Sequence, residues 1–267
     1  MRLKFWSRKP RAEEPRREAP PPAERGVIYD VGMNSGDDCA YYLRSGRRVV
    51  AIEANPALCA SVALRFGAEV AAGRLTILNL GVADVPGAAT FYVHRTNSVL
   101  STLVPDGERI GYAATLPASE FTPIQVEMRR LSDIVAFFGP PHYIKIDIEG
   151  FDDRCLADLR RRDILPPFIS AEAHTIDTFC HLVAMGYGEF KLAAGETVAQ
   201  DFADHPISVA GGGQAGHAFP PHSAGPYGED LPGPWLGKEA ILAHWLNRGD
   251  GWFDLHARRP DLPNRAA

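Results

Sequence analysis

The 267-residue chain has no run of 18 consecutive apolar residues, and its start, Met1 to Arg25, has no apolar stretch of the kind a secretory leader carries. Neither a spanning helix nor an export signal is expected, which makes the cytoplasm the expected location. The four cysteines, Cys39, Cys59, Cys155 and Cys180, form no C-x-x-C pair. That argues against a zinc knuckle or a redox dithiol and for reduced thiols used in packing. Positive charge is scarce where it would matter. The net charge is −5, and residues 1–25 hold eight Lys or Arg against four Glu, so the remainder is near −9. A body of that sign lacks the field that phosphate backbones demand, so nucleic acid is not the expected partner.

What is present divides the chain into three parts. Residues 1–25, basic and rich in proline, read as a disordered leader, because such a composition cannot bury enough surface to offset the entropy of ordering. Residues 26–258 read as one domain with insertions near 94–123 and 193–236, and 259–267 as a short tail. Within the domain, β-rich runs alternate with helix-like stretches. Val27 to Val31, Val49 to Ile52, Leu75 to Leu80, Tyr143 to Ile148, Phe168 to Glu172, Gly188 to Leu192 and Trp252 to His256 read as strands. Helices are expected over Asp37–Arg44, Pro56–Phe66, Leu131–Phe138, Asp152–Arg161, Thr178–Met185 and Lys238–Leu246. Such alternation predicts an α/β fold, doubly wound, with a mostly parallel sheet and helices on both faces. Ala89 to Val93 and Ile124 to Met128 break the rhythm and read as extra strands around a loop over the sheet edge. The Gly-, Pro- and His-rich stretch from Ala193 to Trp235 shows no periodicity and reads as a lid or binding loop.

The strongest chemical signal is D-V-G-M-N-S-G, from Asp30 to Gly36, at the end of the first strand. A dinucleotide loop would carry G-x-G-x-x-G and lead a helix N-terminus to a pyrophosphate; this spacing is absent. Instead an acidic residue precedes the first glycine, where it can face the amino and sulfonium groups of S-adenosylmethionine. Glu53 ends the second strand, placed to accept hydrogen bonds from both hydroxyls of a ribose. Asp30, Gly32, Asn34, Gly36, Glu53, Asn55, Gly81 and Val82 are the candidate cofactor-binding residues. Further along, Y-I-K-I-D-I-E-G puts Lys145, Asp147 and Glu149 on one side of a strand by simple alternation. Charges on a central strand need a reason, and beside the first strand they would meet a bound methyl donor. S-A-E-A-H brings Glu172 and His174 to the same edge, as a general base or as ligands of a divalent cation. Asp147, Glu149, Lys145 and His174 are the candidate catalytic residues, with Lys145 orienting the rest and His222 or Glu229 closing over an acceptor; no metal ligand is assigned.

These motifs together resemble the FkbM-type methyltransferase family. Its D-x-G-x-N-x-G, E-x-N-P and K-I-D-x-E-G patterns stand here at Asp30 to Gly36, Glu53 to Pro56 and Lys145 to Gly150. N-L-G-V-A-D at Asn79 to Asp84 and G-P-Y-G-E-D-L-P-G-P-W at Gly225 to Trp235 extend the similarity over roughly Val27 to His256. Met33 and Ser35 depart from the Ala and aliphatic residue common in the family. The resemblance implies a Rossmann-like methyltransferase fold and transfer of a methyl group from S-adenosylmethionine, commonly to oxygen, on a small molecule, natural product or saccharide. The alternatives are a non-catalytic cofactor-binding scaffold and a nicotinamide-dependent oxidoreductase.

Overall fold

Five consecutive buried residues, Val27–Val31, form β1, the centre of the molecule. A strand buried on both sides belongs inside a parallel sheet covered twice, and the rest of the chain supplies that setting. The computed structural model describes residues 26–109, 114–249 and 251–259; the expected leader and nearly all of the expected tail lie outside them. After β1 come α1 (Asp37–Arg44), β2 (Arg48–Glu53), α2 (Pro56–Arg65), α3 (Gly67–Ala71), β3 (Leu75–Asn79), β4 (Gly81–Val82) and β5 (Gly87–His94). Then follow β6 (Phe121–Arg129), α4 (Leu131–Phe138), β7 (Pro141–Ile146), α5 (Asp152–Arg161), β8 (Phe168–Glu172), α6 (Ile176–Ala184) and β9 (Glu189–Ala194). The chain finishes with α7 (Val198–Asp201), β10 (His205–Ser208), β11 (Gln214–His217), α8 (Lys238–Arg248) and β12 (Phe253–Arg258).

The main sheet has seven strands in the order β3-β2-β1-β7-β8-β12-β9. All run parallel except β12, which is antiparallel to both β8 and β9. The fold is therefore α/β, Rossmann-like and mostly parallel. Its winding reverses between β1 and β7, and the carboxyl ends of those strands form the crevice where ligands sit in such sheets. Local signals account for the helices. Asn55 caps α2, its side chain accepting from the Ala57 N–H, with Pro56 in the first turn. Thr175 caps α6 in the same way.

Three expectations change. The strand predicted to reach Ile148 ends at Ile146: Asp147 N–H still donates to Val31, but the Asp152 carboxylate then takes Ile148 N–H and turns the chain. The extra strands expected at Ala89 to Val93 and Ile124 to Met128 are present and longer, as β5 and β6, which pair over eight residues and with β4 form a separate sheet, β4-β6-β5. The segment without periodicity contains α7 and the hairpin β10–β11, elements too short to leave a repeating pattern.

The two faces of the main sheet differ. One carries Tyr29, Val31, Ile144, Ile146, Ile169, Ala171 and Leu255, buried against Leu131, Ile134, Leu156, Leu159 and Leu182 of α4, α5 and α6. The other is crossed by a polar row set by strand register: Asp30 beside Lys145, Lys145 beside Ser170, Ser170 beside His256, His256 beside Lys191. All five are buried, under α1 and the segment around Phe219, Tyr227 and Leu231.

Candidate active site

The D-V-G-M-N-S-G loop is shaped by close approach. Gly32 has φ +87°, and a side chain there would run into the Asp147 carbonyl, so only glycine lets the loop lie against the end of β7. Gly32 and Met33 donate to Ile52 at 3.0 Å each, tying the loop to β2. Asn34 takes a left-handed conformation, φ 47°, uncommon for a residue with a side chain. That conformation turns its N–H to Glu53 Oε2 at 3.0 Å, while Asn55 N–H meets Oε1 at 2.8 Å. Glu53 is thus fixed through both oxygens by backbone donors. Each oxygen keeps a lone pair for a ligand. Burial pushes this carboxyl upward in pKa, against the two N–H groups that hold the charge.

A pocket opens here, walled by Glu53, Gly81, Val82, Asp147, Glu149 and Trp252. Gly32, Asn34 and Lys145 line it too. Ser98 caps it from the β5–β6 excursion, donating to Asn34 Oδ1 at 2.8 Å. From the long segment comes His222, left-handed at φ 67°, its ring 5.8 Å from that of Trp252 and stacked on it.

Other predicted residues lie elsewhere. Asp30, fully buried, is outside the pocket wall; it accepts from Cys39 Sγ and faces Lys145 Nζ at 3.6 Å. Burial raises it to about 6, with Lys145 opposing. Gly36 sits under Val62, and Asn55 spends its side chain on α2, so neither reaches the pocket wall. Glu229 binds Arg258 at 2.7 Å and Trp235, at the other end of the strands, because β12 carries Arg258 there; of the two candidate closing residues only His222 reaches the pocket.

Lys145 is the hub of the buried charges. Its Nζ stands 3.2 Å from Asp147, 3.6 Å from Asp30 and 3.7 Å from Asp38, and donates to the Gly32 carbonyl at 3.0 Å. Those carboxylates hold the amine charged despite burial. It braces β1, β7 and α1 and, of the other candidates, meets Asp147. Asp38, which sequence reasoning passed over, accepts from Ser223 Oγ at 2.6 Å and from Ala224 N–H, fastening the long segment to α1. Its sequence signature, an acid in a first helical turn, is the same as that of any exposed cap-proximal carboxylate.

At the rim, Glu149 takes φ 51° and Gly150 φ 98°, a turn held by Asp152 accepting from Ile148 and Gly150 N–H. Alternation along a strand therefore does not set the direction of Glu149; this turn does. It gathers Glu149, Glu172 and His174 so that one ligand-capable atom of each lies within 4.8 Å of the others. Burial, then Glu172 and Asp147, raise Glu149 to about 9; burial with the same neighbours takes Asp152 to about 7. The Glu172 carboxylate, 2.9 Å from the ring, raises His174 to about 9. Asp254 on β12, opposite Glu172 in register, is pushed well up by burial and by Asp147 and Glu172.

Residues 30–185 match the model of the methyltransferase FkbM domain, over half of the chain. The chain is a member of the FkbM methyltransferase family. No curated protein matches it. Among solved structures, methyltransferase FkbM from Methylobacillus flagellatus KT is 18% identical with a TM-score of 0.44, over 63% of this chain and 40% of that one. The FkbM chain described here thus spans well under half the length of that protein. A precorrin-6y C5,15-methyltransferase from Geobacter metallireducens GS-15 is 13% identical (TM-score 0.37; 88% and 80% covered). The 1,6-didemethyltoxoflavin-N1-methyltransferase of Burkholderia thailandensis is 16% identical (TM-score 0.32; 88% and 72%). Among the described residues no helix is long and apolar enough to cross a membrane.

Proposed function

We propose that this FkbM-family chain transfers a methyl group from S-adenosylmethionine to a hydroxyl of a small molecule or saccharide. The observation that carries the reading is the charge of the pocket wall. Asp37, Asp38, Glu53 and Asp147 line it, against a single Lys145 already shared among three carboxylates. Such a wall repels a pyrophosphate and attracts a sulfonium and an ammonium, which disfavours a nicotinamide dinucleotide and fits a positively charged methyl donor. Glu53, with its backbone donors in place, is set for a ribose, and the walls of Gly81 and Val82 suit a flat apolar base.

Bound here, the cofactor supplies an electrophilic methyl group on positively charged sulfur. The chain has to bring the acceptor oxygen into line and remove its proton. Asp147 edges the pocket for the second task, and Glu149, grouped with His174, borders the same opening. Trp252, His222 and the Ser98–Leu103 stretch narrow the opening, excluding water and favouring a compact acceptor over a surface of another macromolecule.

Isothermal titration with S-adenosylmethionine, S-adenosylhomocysteine and NAD tests this reading. The first two are expected to bind and NAD to fail, and Glu53→Ala to weaken binding by about tenfold or more, the worth of a charge-assisted hydrogen bond. Preference for NAD, or no binding of the sulfonium compound, overturns it.

A further inference from the structure

We infer that Glu149, Glu172 and His174 bind a divalent cation at the rim of the pocket, where it receives the acceptor oxygen. The inference rests on the proposed methyl transfer for its purpose, but the site stands on its own geometry. Two carboxylates and an imidazole each offer a ligand atom, mutually within 4.8 Å. Ligands of an octahedral ion at about 2.0–2.1 Å stand about 3 Å apart when adjacent and about 4.2 Å when opposite, so the ion would draw the three groups together on binding. Glu172 Oε2 and His174 Nε2, at 2.9 Å, already have the spacing of adjacent ligands.

The second observation is a pair of buried carboxylates short of donors. Glu172 is only 8% exposed, and its Oε2 meets no donor beyond the His174 ring nitrogen, 2.9 Å away. Asp254, 1% exposed and opposite Glu172 in the β8–β12 register, also leaves Oδ1 unpaired. Residues paired across an antiparallel ladder share a face, so Asp254 and Glu172 stand side by side on one face of the sheet. Buried acceptors without donors cost free energy, and a cation with its bound water supplies what they lack: Glu172 as ligand, Asp254 as acceptor from the water. Asp152 stands outside the three-residue cluster and holds the turn that carries Glu149. Lys145 is already shared among Asp30, Asp38 and Asp147, one cation for three carboxylates before the rim is counted.

The donor set is mixed. Carboxylates favour magnesium or manganese and imidazole the transition metals, which makes Mn²⁺ the suitable probe. Three protein ligands leave positions open, and Glu149 is shared between the cluster and the cofactor pocket. An acceptor hydroxyl in an open position is acidified by the cation and lies beside Asp147 as proton acceptor. An acceptor with a second oxygen next to that hydroxyl can chelate, so vicinal diols and hydroxy-carbonyl compounds are the favoured class.

The test titrates Mn²⁺ into chelator-treated full-length protein and follows loss of the free-ion electron paramagnetic resonance signal, with S-adenosylmethionine binding measured calorimetrically on the same samples. One Mn²⁺ per chain is expected, weakened about tenfold or more in Glu172→Gln and in His174→Ala. His174 is exposed, so its replacement tests the site without threatening the fold. Failure of the wild type to bind Mn²⁺, or equal binding by both variants, overturns the site. Cofactor binding without Mn²⁺ binding removes the cation and leaves the methyl transfer; the reverse removes the methyl transfer and leaves the cation.

Discussion

On one face of the central sheet, Val31, Ile144, Ile146, Ile169 and Leu255 meet the apolar sides of three helices. On the other, the same strands present Asp30, Lys145, Ser170, His256 and Lys191 in a row, buried to a similar depth. The first face gains stability from area alone, and any well-fitting apolar side chain serves. The second loses hydration of its charges and recovers it only through specific partners: Lys145 with three carboxylates, Tyr143 OH with Ser170 Oγ at 2.6 Å, Lys191 with the carbonyls of Gly228 and Leu231. A buried charge group is a poor device for stability. Its presence beside the pocket marks the face where the chain does chemistry, while its neighbour holds the sheet together.

The sharpest way to break this contrast is to remove the hub. Lys145→Met leaves the Asp30, Asp38 and Asp147 carboxylates without their shared cation and is expected to cost about 3–5 kcal/mol, read as a lower denaturant midpoint together with loss of cofactor binding. A loss under about 1 kcal/mol would show that the carboxylates do not depend on it. Next in size is the control on the apolar face. Leu182→Ala, fully buried on α6, should cost about 2–5 kcal/mol as a cavity, yet leave cofactor affinity within twofold when measured well below the melting temperature. A matching loss of affinity would erase the distinction between the faces. The smallest effect is a slope. Burial lowers His256 to about 3, with Lys191 adding to it and Ser170 its neighbour on β8. A depressed pKa gives stability that is present above the unfolded value of 6.5 and is lost as pH falls toward 3. Each pH unit in that window contributes about 1.4 kcal/mol. His256→Gln should flatten the acid limb of melting temperature against pH; an unchanged limb assigns the slope elsewhere, His142 being the other histidine lowered to about 3 by burial.

Much of this was legible because strand and helix periods are local. Val27 to Val31 and Phe168 to Glu172 announce themselves by composition, and Asp30–Gly36, Glu53 and Asp147 stand together because strand ends in this fold converge. What could not be read depends on distant partners. Ile148 looks like strand until Asp152 takes its N–H. Asp30, expected beside the cofactor, turns inward to Lys145 and Cys39. Asp38 and Asp254 carry no motif at all; only strand order and the return of the chain near residues 223 and 254 reveal them. Glu229 sits in a Gly-rich motif near His222, yet β12 draws it to the far edge through Arg258.

The fastening of Ser223 and Ala224 to Asp38 also dictates an order of events at the ribosome. Asp38 and its partners are 185 and 186 residues apart, so β1, β2 and α1 leave the tunnel long before the segment that satisfies this carboxylate has been synthesised. At about 5–20 residues per second, the nascent chain spends on the order of ten seconds or more with an acidic, half-walled crevice exposed. Contacts of such separation are the slow ones in folding. The segment that carries His222 arrives late, Trp252 and β12 later still, and the pocket exists in finished form only after nearly the whole chain has been made.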